Sequence, residues 1–483
     1  MNRFGYRRTT LWAWFFVAVL AGLGLARINI SIAVWVIMAA VFSAVTILRK
    51  LRIRPILVVI MLGVAIGFVR GGAFMQKIEP YSEYEGQKVS VTIRADNDAT
   101  YNDRSQLEFD ATHVTFTSPE RQEVPGRMRI SGFGVPAVYR GDILQVSGKL
   151  YKTRGSRQAG ISFGQISIVK PTDSSFEKLR REFVAATLSS MPEPHSSLAL
   201  GILIGQRTTL PERVNERLNK TGLTHIIAVS GYNLTIIVQA VRRLLKKRSK
   251  YQVVLFSGLL IAGFLFITGF SASIVRAALV SGLSLAAWYC GRAFKPVLLL
   301  LLTAAVTAYV NPLYVWSDIG WYLSFAAFYG VLVTAPAVIK RFARKEPKLI
   351  GGVVAETLCA QLLTLPIIMF IFGRVSVVSL VANLLVVPLV PFAMLFALLA
   401  GVNYMVFGSL LSWLAFPAQA ILTYMLDIVK ILGGLSFASV EQKISSATMI
   451  VLYIGILLVT FAAIRANRLR DTIKSDKLAK NTG

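Results

Sequence analysis

The stretch THIIAVSGYNLTII, residues 224–237, is too apolar for a surface loop and too polar for an ordinary membrane span. At its centre stands Ser230-Gly231-Tyr232-Asn233, where glycine and asparagine weaken a helix and serine and asparagine compete for backbone hydrogen bonds. Such residues at membrane depth predict a discontinuous helix whose freed backbone lines a polar cavity. The alternative is close packing through the small residues, with Asn233 hydrogen-bonded across a helix interface.

The composition places this stretch in a polytopic α-helical membrane protein. Of the 483 residues, 55% are hydrophobic and 16% are charged, and the mean hydropathy is +0.61. A soluble domain cannot bury that much apolar surface. The formal charge is +28, from 52 Lys and Arg against 24 Asp and Glu. Both basic cytoplasmic loops and an anionic cargo explain such an excess, so the location of the charges decides between them.

Three membrane helices are predicted in an N-terminal domain, residues 1–74, at 11–26, 29–48 and 55–70, the first of them uncleaved. The charge pattern then places residues 75–170 on the extracytoplasmic side. Residues 171–192 are predicted to form an amphipathic helix on the outer membrane surface.

Hydrophobic runs resume over 193–465 and predict a second membrane domain, followed by a basic cytoplasmic tail over 466–483. If the short run 196–206 does not cross, every basic cluster lies inside and the chain makes about twelve crossings. Most of the positive charge then reflects topology. These clusters are Arg242–Lys250, Arg292–Lys295, Lys340–Lys348 and Arg465–Lys480.

Residues 75–170 show short alternating runs instead of long apolar ones. Glycine, proline, asparagine and aspartate separate these runs, which predicts a small β-barrel or sandwich. The five predicted strands are Val89–Ala95, Gln106–Phe116, Arg127–Phe133, Ile143–Lys152 and Ile161–Val169.

The charges of this β-domain are unevenly distributed along the sequence. Residues 83–123 hold nine acidic and four basic residues, whereas 126–157 hold seven basic and one acidic residue. Basic and aromatic residues together suit single-stranded nucleic acid, and the alternative is a cationic face that touches anionic lipid headgroups. The candidate DNA-contact residues are Arg127, Arg129, Phe133, Tyr139, Arg140, Lys149, Tyr151, Lys152, Arg154 and Arg157.

Sequence motifs of an enzyme are missing. There is no G-x-x-x-x-G-K-[ST] phosphate loop and no Cys/His metal cluster, so we expect no ATPase, no nuclease and no cofactor. Ser230 with His225 suggests an intramembrane serine hydrolase, but five residues along a continuous helix set the two side chains about 140° apart. No G-x-S-x-G elbow supports that reading.

Four segments resemble the ComEC family of competence proteins, which are bacterial DNA-uptake channels, and they occur in the family's order. They are LALGILIGQRTTLPERVNERLNKTGLTHIIAVSGYNLTII (198–237), GFSASIVRAALV (269–280), NPLYVWSDIGWYLSFAAFYGVL (311–332) and AQLLTLPIIMFIFGRVSVVSLVANLLVVPLVP (360–391). YRGDILQVSGKL (139–150) is similar to part of the family's extracytoplasmic OB-like domain.

The resemblance implies a polytopic α-helical membrane protein with an extracytoplasmic OB-like β-barrel domain, located in the bacterial cytoplasmic membrane. It implies import of single-stranded DNA, with a DNA receptor and a separate nuclease outside. Because each phosphate entering a negative-inside cell costs roughly 2.3 kcal/mol per 100 mV, a cytoplasmic ATPase or helicase motor is expected as well. Membrane lipids are the remaining expected partner.

Residue by residue, the resemblance falls on several polar and proline positions. Pro366 and Pro388 match the family, while Gly231-Tyr232-Asn233 departs from its usual Gly-Leu-His, so Asn233 keeps hydrogen bonding without a titratable ring. The family's C-terminal metallo-β-lactamase-like domain is expected to be absent. The candidate channel-lining residues are His225, Ser230, Gly231, Tyr232, Asn233, Arg276, Asp318, Ser324, Gln361 and Asn383.

The residues themselves leave other interpretations open. Arg276 either forms a structural ion pair with Asp318 or faces a polar conduit, and Gln361 and Asn383 are individually explained by helix packing. For the whole chain, the alternatives to a DNA channel are a transporter or scramblase-like handler of a lipid-linked phosphate, and an intramembrane serine hydrolase.

Overall fold

The computed structural model describes residues 8–28, 54–102, 104–153, 157–206, 210–227, 247–268, 272–291, 295–342 and 349–481, together with 234, 238, 241, 242 and 245. The predicted helix 29–48, the Ser230–Asn233 motif and Arg154 lie outside these residues. The chain divides into two packing units, Met1–Glu182 with Leu301–Trp321, and Phe183–Leu300 with Tyr322–Gly483.

Long apolar helices confirm the predicted membrane protein. Six helical runs among the described residues are long and apolar enough to cross a bilayer. Four shorter apolar helices, His195–Ile204, Lys250–Leu265, Ile274–Tyr289 and Pro296–Val310, accompany them. The six runs are Arg8–Leu25, Ile56–Ile78, Ile319–Arg341, Val354–Phe372, Ser379–Gly433 and Ser446–Asn467.

In the first unit, helices α1 (Arg8–Leu25) and α2 (Arg54–Ile78) pack through glycines. A Cβ on Gly67 would collide with the Val19 carbonyl, so the two backbones touch there. Helix α3 (Pro80–Glu83) then leads into the β-sheet.

Segment 301–321 joins this unit because Trp316 anchors it. The Trp316 Nε1–H donates to the Leu23 carbonyl at 2.8 Å, and the Trp316 ring meets that of Phe74 edge-on at 5.9 Å. The sequence predicts separate N-terminal and later membrane domains, and it does not indicate that residues 301–321 pack with the N-terminal unit.

We expect Gly67→Ala to destabilise the chain by about 1–3 kcal/mol, because an added methyl overpacks the α1–α2 contact. The measurement is the thermal unfolding midpoint of the purified chain, which should fall. Gly72→Ala is the matched control, since a Cβ on Gly72 meets no heavy atom within 4 Å. Equal midpoints for the two variants would contradict this packing argument.

Residues 88–170 fold as a seven-stranded β-sheet, which confirms the predicted β-domain, whereas its extracytoplasmic location and its OB-like barrel form stay predictions. Each of the five predicted strands is present, with its ends within two residues of the prediction. The strands are β1 (Lys88–Ala95), β2 (Thr100–Tyr101), β3 (Leu107–Ser118), β4 (Gln122–Val124), β5 (Met128–Phe133), β6 (Ile143–Lys152) and β7 (Ala159–Lys170).

The pairing of these strands fixes which side chains share a face. β1 pairs with both β3 and β6, β3 with β5, and β6 with β7, all antiparallel, whereas β5 and β7 run parallel. Alternate side chains, among them Phe109, Phe116 and Ile161, fill a core that excludes water. The other face carries the charged residues.

Helix α4 (Ser175–Ser190) follows the sheet, as predicted for an amphipathic segment. Its first half is bonded to the β-domain, because Arg180 lies 3.0 Å from Asp98 and Arg140 lies 3.4 Å from Glu177. Its location on the membrane surface stays a prediction.

The second unit is helical. Its helices begin with α5 (His195–Ile204), α6 (Glu212–Thr221), α7 (Thr224–Ile227) and α8 (Lys250–Thr268). Then come α9 (Ala272–Tyr289), α10 (Pro296–Val310), α11 (Leu313–Ser317), α12 (Ile319–Tyr329), the π-helix Gly330–Thr334 and α13 (Ala335–Phe342), of which α11 and parts of α10 and α12 belong to the first unit.

The remaining elements are α14 (Leu349–Phe372), β8 (Arg374–Ser376), α15 (Ser379–Val386), α16 (Val390–Phe407), α17 (Phe416–Gly433), β9 (Ser439–Glu441) and α18 (Ser446–Asn481), with 3-10 turns on either side of α16. β8 and β9 pair antiparallel. α18 continues through most of the predicted basic tail.

The short apolar run 196–206 folds mostly as helix α5. Ten residues span about 15 Å, half of the roughly 30 Å hydrocarbon layer, so this helix by itself is too short to cross. Every residue from Ser196 to Ile204 is buried, and the helix packs in the unit's core with α16 and α17.

Candidate functional site

A polar cavity of about 540 Å³ opens on the solvent face of the β-sheet. The loop between β1 and β3, the loop between β6 and β7, and outward side chains of four strands form it. Three predicted DNA-contact residues, Arg129, Tyr151 and Arg157, meet there. The lining residues are Asn102, Arg104, Gln106, Glu108, Arg129, Ser131, Tyr151, Thr153, Arg157 and Ser162.

The Tyr151 ring lies against the neighbouring strand β7, because the residue opposite it there is a glycine, Gly160. Tyr151 on β6 and Arg129 on β5 both pair with Gly160 of β7. A Cβ on Gly160 would stand 2.5 Å from the Tyr151 Cζ and hydroxyl oxygen, so only glycine leaves room for the ring. Tyr151 is 37% exposed and lines the cavity together with Arg129 and Arg157.

Each of the four described arginines of the predicted DNA-contact set is bonded to a carboxylate. Arg157 forms a bidentate pair with Asp110, at 2.6 and 2.8 Å. Three of the four pairs join the basic segment 126–157 to the acidic segment 83–123, which sequence order alone does not reveal. The pairs are Arg127 with Asp96, Arg129 with Glu108, Arg140 with Glu177, and Arg157 with Asp110.

Pairing leaves these arginines charged and partly exposed. Partial burial and the neighbouring Arg157 guanidinium lower the pKa of Arg129, while Tyr151 opposes that shift. An arginine nevertheless keeps its proton in a protein, so both guanidinium groups remain N–H donors at the cavity.

The other candidates of this domain lie on exposed surface. Lys149 and Lys152 on β6 have no ion-pair partner among the described residues. Phe133 is exposed at the end of β5, and the Tyr139 ring stacks under Arg181, whose Cζ lies 4.8 Å from the ring centroid.

In the second unit, three distant segments meet at a polar cluster, which we call the Gly222 cluster: Gly222, His225, Gln361, Ser376 and Ser379. Gly222 ends α6 with φ +71°, and a Cβ there would stand 2.8 Å from Ser379 Cβ and 3.3 Å from Ser376 Cβ. The His225 Nδ1 lies 3.0 Å from the Gly222 carbonyl, and the Gln361 amide donates to Ser379 Oγ at 2.7 Å.

Asn383 extends this cluster by one turn of α15, since it follows Ser379 by four residues. Its Oδ1 and the Ser376 Oγ are buried and have no hydrogen-bond partner among the described residues. Buried polar groups are normally satisfied, so these two mark a region that takes a further polar partner. Three predicted channel-lining residues, His225, Gln361 and Asn383, are therefore brought together.

The remaining candidates are placed elsewhere or lie outside the described residues. Arg276 is fully buried on α9, with its Cζ 5.9 Å from the centroid of the Phe325 ring. Asp318 accepts from the Trp321 backbone N–H at 2.9 Å and so caps α12, and Ser324 is half-buried on the same helix. The Arg276–Asp318 ion pair stays a prediction.

Four residues at these two sites are not among the residues predicted from the sequence: Glu108, Asp110, Ser376 and Ser379. The two acids are signalled by alternation, because they occupy outward positions of a strand whose inward residues are apolar. The serines carry no such signal, since they follow an ordinary span and meet Gly222 only in the folded chain.

Comparisons with known proteins support a family assignment. Residues 202–467 match the family model described as Competence protein. ComE operon protein 3 of Bacillus subtilis (strain 168) is 27% identical over 228 residues, which cover 46% of this chain and 28% of that protein. The uncharacterized protein YcaI of Escherichia coli (strain K12) is 25% identical over 269 residues, covering 52% of this chain and 34% of that protein.

The matched region thus spans about a third of the length of these two relatives. No solved structure matches the chain.

Proposed function

This chain belongs to the competence protein family, and from that premise we propose that it imports single-stranded DNA across the membrane. The family match and the six long apolar helices make it a multi-pass protein of the bacterial cytoplasmic membrane. The observation that carries the DNA proposal is the cavity on the β-sheet, which Arg129, Arg157 and Tyr151 line together.

The chemistry of this cavity suits a nucleotide strand. Phosphates bind guanidinium donors, and bases stack on aromatic rings without regard to sequence. Gln106 adds a buried Nε2 donor that has no acceptor among the described residues. A base edge or a phosphate oxygen would satisfy that donor.

An OB-like fold supports the same ligand. We propose an OB-like fold because the pairing order β1–β3–β5–β7–β6, with β6 also paired to β1 and with β5 and β7 parallel, is compatible with a partly open five-stranded Greek-key barrel. OB-folds bind oligonucleotides on the face of their second and third strands, between the first and last hairpin loops. In this domain the cavity lies between the loops that hold Asn102 and Thr153, which would correspond to the first and last hairpin loops of an OB-fold.

The Gly222 cluster supports a polar path through the second unit. Helix α7 ends at Ile227, and the Ser230–Asn233 motif begins three residues later. We propose that a polar path through this unit includes His225, Gln361 and Asn383. A hydrated path is what a chain of phosphates requires in a bilayer.

The remaining partners follow from the energetics of import. A strand of many phosphates does not enter a negative-inside cell spontaneously, because each costs roughly 2.3 kcal/mol per 100 mV. We therefore propose a cytoplasmic ATPase or helicase that pulls the strand, and a receptor and nuclease outside that deliver it.

We expect Tyr151→Ala to weaken binding of a fluorescent oligothymidine by roughly 1–3 kcal/mol, the usual loss for one stacked base. The measurement is fluorescence anisotropy on the purified full chain at several salt concentrations. Phe163→Ala is the matched control, because Phe163 is an exposed ring of the same domain that does not line the cavity. Equal affinities for both variants would count against capture in this cavity.

A further inference from the structure

A second polar cleft, of about 350 Å³, lies in the second unit between α6 and the turn that follows α17. We call it the α6 cleft. Arg213, Arg217 and Lys220 line one wall, at positions i, i+4 and i+7 of α6. This spacing puts the three cations on one face, along about 10 Å of helix axis.

The floor of the α6 cleft is backbone. A Cβ on Gly433 would stand 3.1 Å from Arg217 Cβ and 3.2 Å from the Arg217 carbonyl oxygen, so α6 and α17 touch there through glycine. Gly434, Leu435 and Ser436 continue the floor, and Leu435 is the sole large apolar side chain of the lining. The surface is therefore concave, polar and open.

The cations of the α6 cleft are less neutralised than those of the β-domain. None of Arg213, Arg217 and Lys220 has a carboxylate within ion-pair distance among the described residues. Glu216 is the single acid of the lining. In contrast, Arg129 and Arg157 of the β-domain are both held by carboxylates.

The basic loops place this cleft at the outer end of the unit. α14 begins after the basic cluster Lys340–Lys348 and ends at β8, and α18 starts after β9 and carries its basic residues at its far end. Basic loops mark the cytoplasmic side, so paired β8 and β9 lie at the outer side. Ser439 of β9 lines the cleft, and the positive-inside rule therefore does not account for the cations of α6.

We infer that the α6 cleft is a phosphodiester-binding site at the outer mouth of the second unit, which holds the DNA backbone as the strand enters. This inference rests on the proposed DNA import. α6 ends at Gly222, so the cations are joined to the Gly222 cluster by the same helix. A lipid headgroup site would need an apolar wall for the acyl chains, and Leu435 alone does not provide one.

The test uses the purified full chain in nanodiscs, with a cysteine placed in the cleft. Ser436→Cys, in a Cys290→Ser background that removes the exposed native thiol, reports local access by its rate of reaction with a hydrophilic maleimide. We expect a saturating oligothymidine to slow that reaction several-fold. Adding Arg213→Gln and Lys220→Gln should abolish the protection and lower the salt slope of binding by about 1.4, since each single-strand contact contributes about 0.7.

The matched control removes equal charge elsewhere in the unit. Lys247→Gln with Arg248→Gln, both exposed in a basic cytoplasmic cluster, should leave the protection intact. Protection that survives Arg213→Gln and Lys220→Gln, or that is absent while the chain still binds the oligothymidine, overturns this inference alone. A chain that does not bind the oligothymidine contradicts the proposed function itself. Protection by phosphatidylglycerol in the nanodisc, and not by the oligothymidine, would assign the cleft to lipid.

Discussion

Replacing Gly222 by alanine is expected to lower DNA import by about a hundredfold. The glycine has φ +71°, a conformation that costs an L-residue about 1–2 kcal/mol. In addition, the new methyl carbon would stand 2.8 Å from Ser379 Cβ, and such overpacking costs typically 1–3 kcal/mol. Since Ser379 holds Gln361, the Gly222 cluster cannot keep its geometry.

The measurement is the amount of labelled DNA that becomes protected inside cells expressing each variant at equal levels. Gly291→Ala is the matched control, because Gly291 has φ +65° but a Cβ there meets no heavy atom within 4 Å. It suffers the same backbone strain without the collision. If Gly222→Ala imports DNA as well as Gly291→Ala does, the Gly222 cluster is not part of the path.

The β-domain shows how far alternation in the sequence can carry a prediction. Alternation predicts five of its seven strands to within two residues, because each presents apolar side chains to one core with period two, and it does not predict the short strands β2 and β4. The ion pairs were not found, because Arg129 and Glu108 are joined only by the register of β3 and β5. The positive face predicted from the sequence is therefore a mixed face, on which paired arginines line a polar cavity.

The membrane half shows a different limit. Hydropathy identified its apolar helices and the basic loops between them. It did not reveal that Gly222, Gln361 and Ser379 meet, because Gly222 lies more than a hundred residues before the other two and each residue is explained locally by helix packing. The family resemblance did point to His225 and Asn383, two of the residues at this junction.

The sequence does not identify the cations of α6 as site residues, and the reason is again physical. Arg213 and Lys220 on a short polar helix are typical of a solvated face, and nothing local distinguishes them from one. Their significance comes from Gly433 at the end of α17, which lets that helix approach α6 so that an exposed face becomes the wall of a cleft.

We propose that this chain transports a polyanionic strand along a hydrated path. We expect an imposed potential to replace the motor, because each phosphate gains roughly 2.3 kcal/mol per 100 mV when the compartment ahead is positive. Liposomes that contain only the purified chain should therefore import a strand when their interior is positive, and not when it is negative. The Gly222→Ala variant should import far less at the same potential.

The most direct measurement is the nuclease-protected fraction of a fluorescent oligothymidine after a potassium diffusion potential is imposed on such liposomes. We expect protection that rises with inside-positive potential and is absent from protein-free liposomes. Protection no greater than in protein-free liposomes, from a chain that binds the oligothymidine and unfolds at its normal temperature, would contradict this proposal.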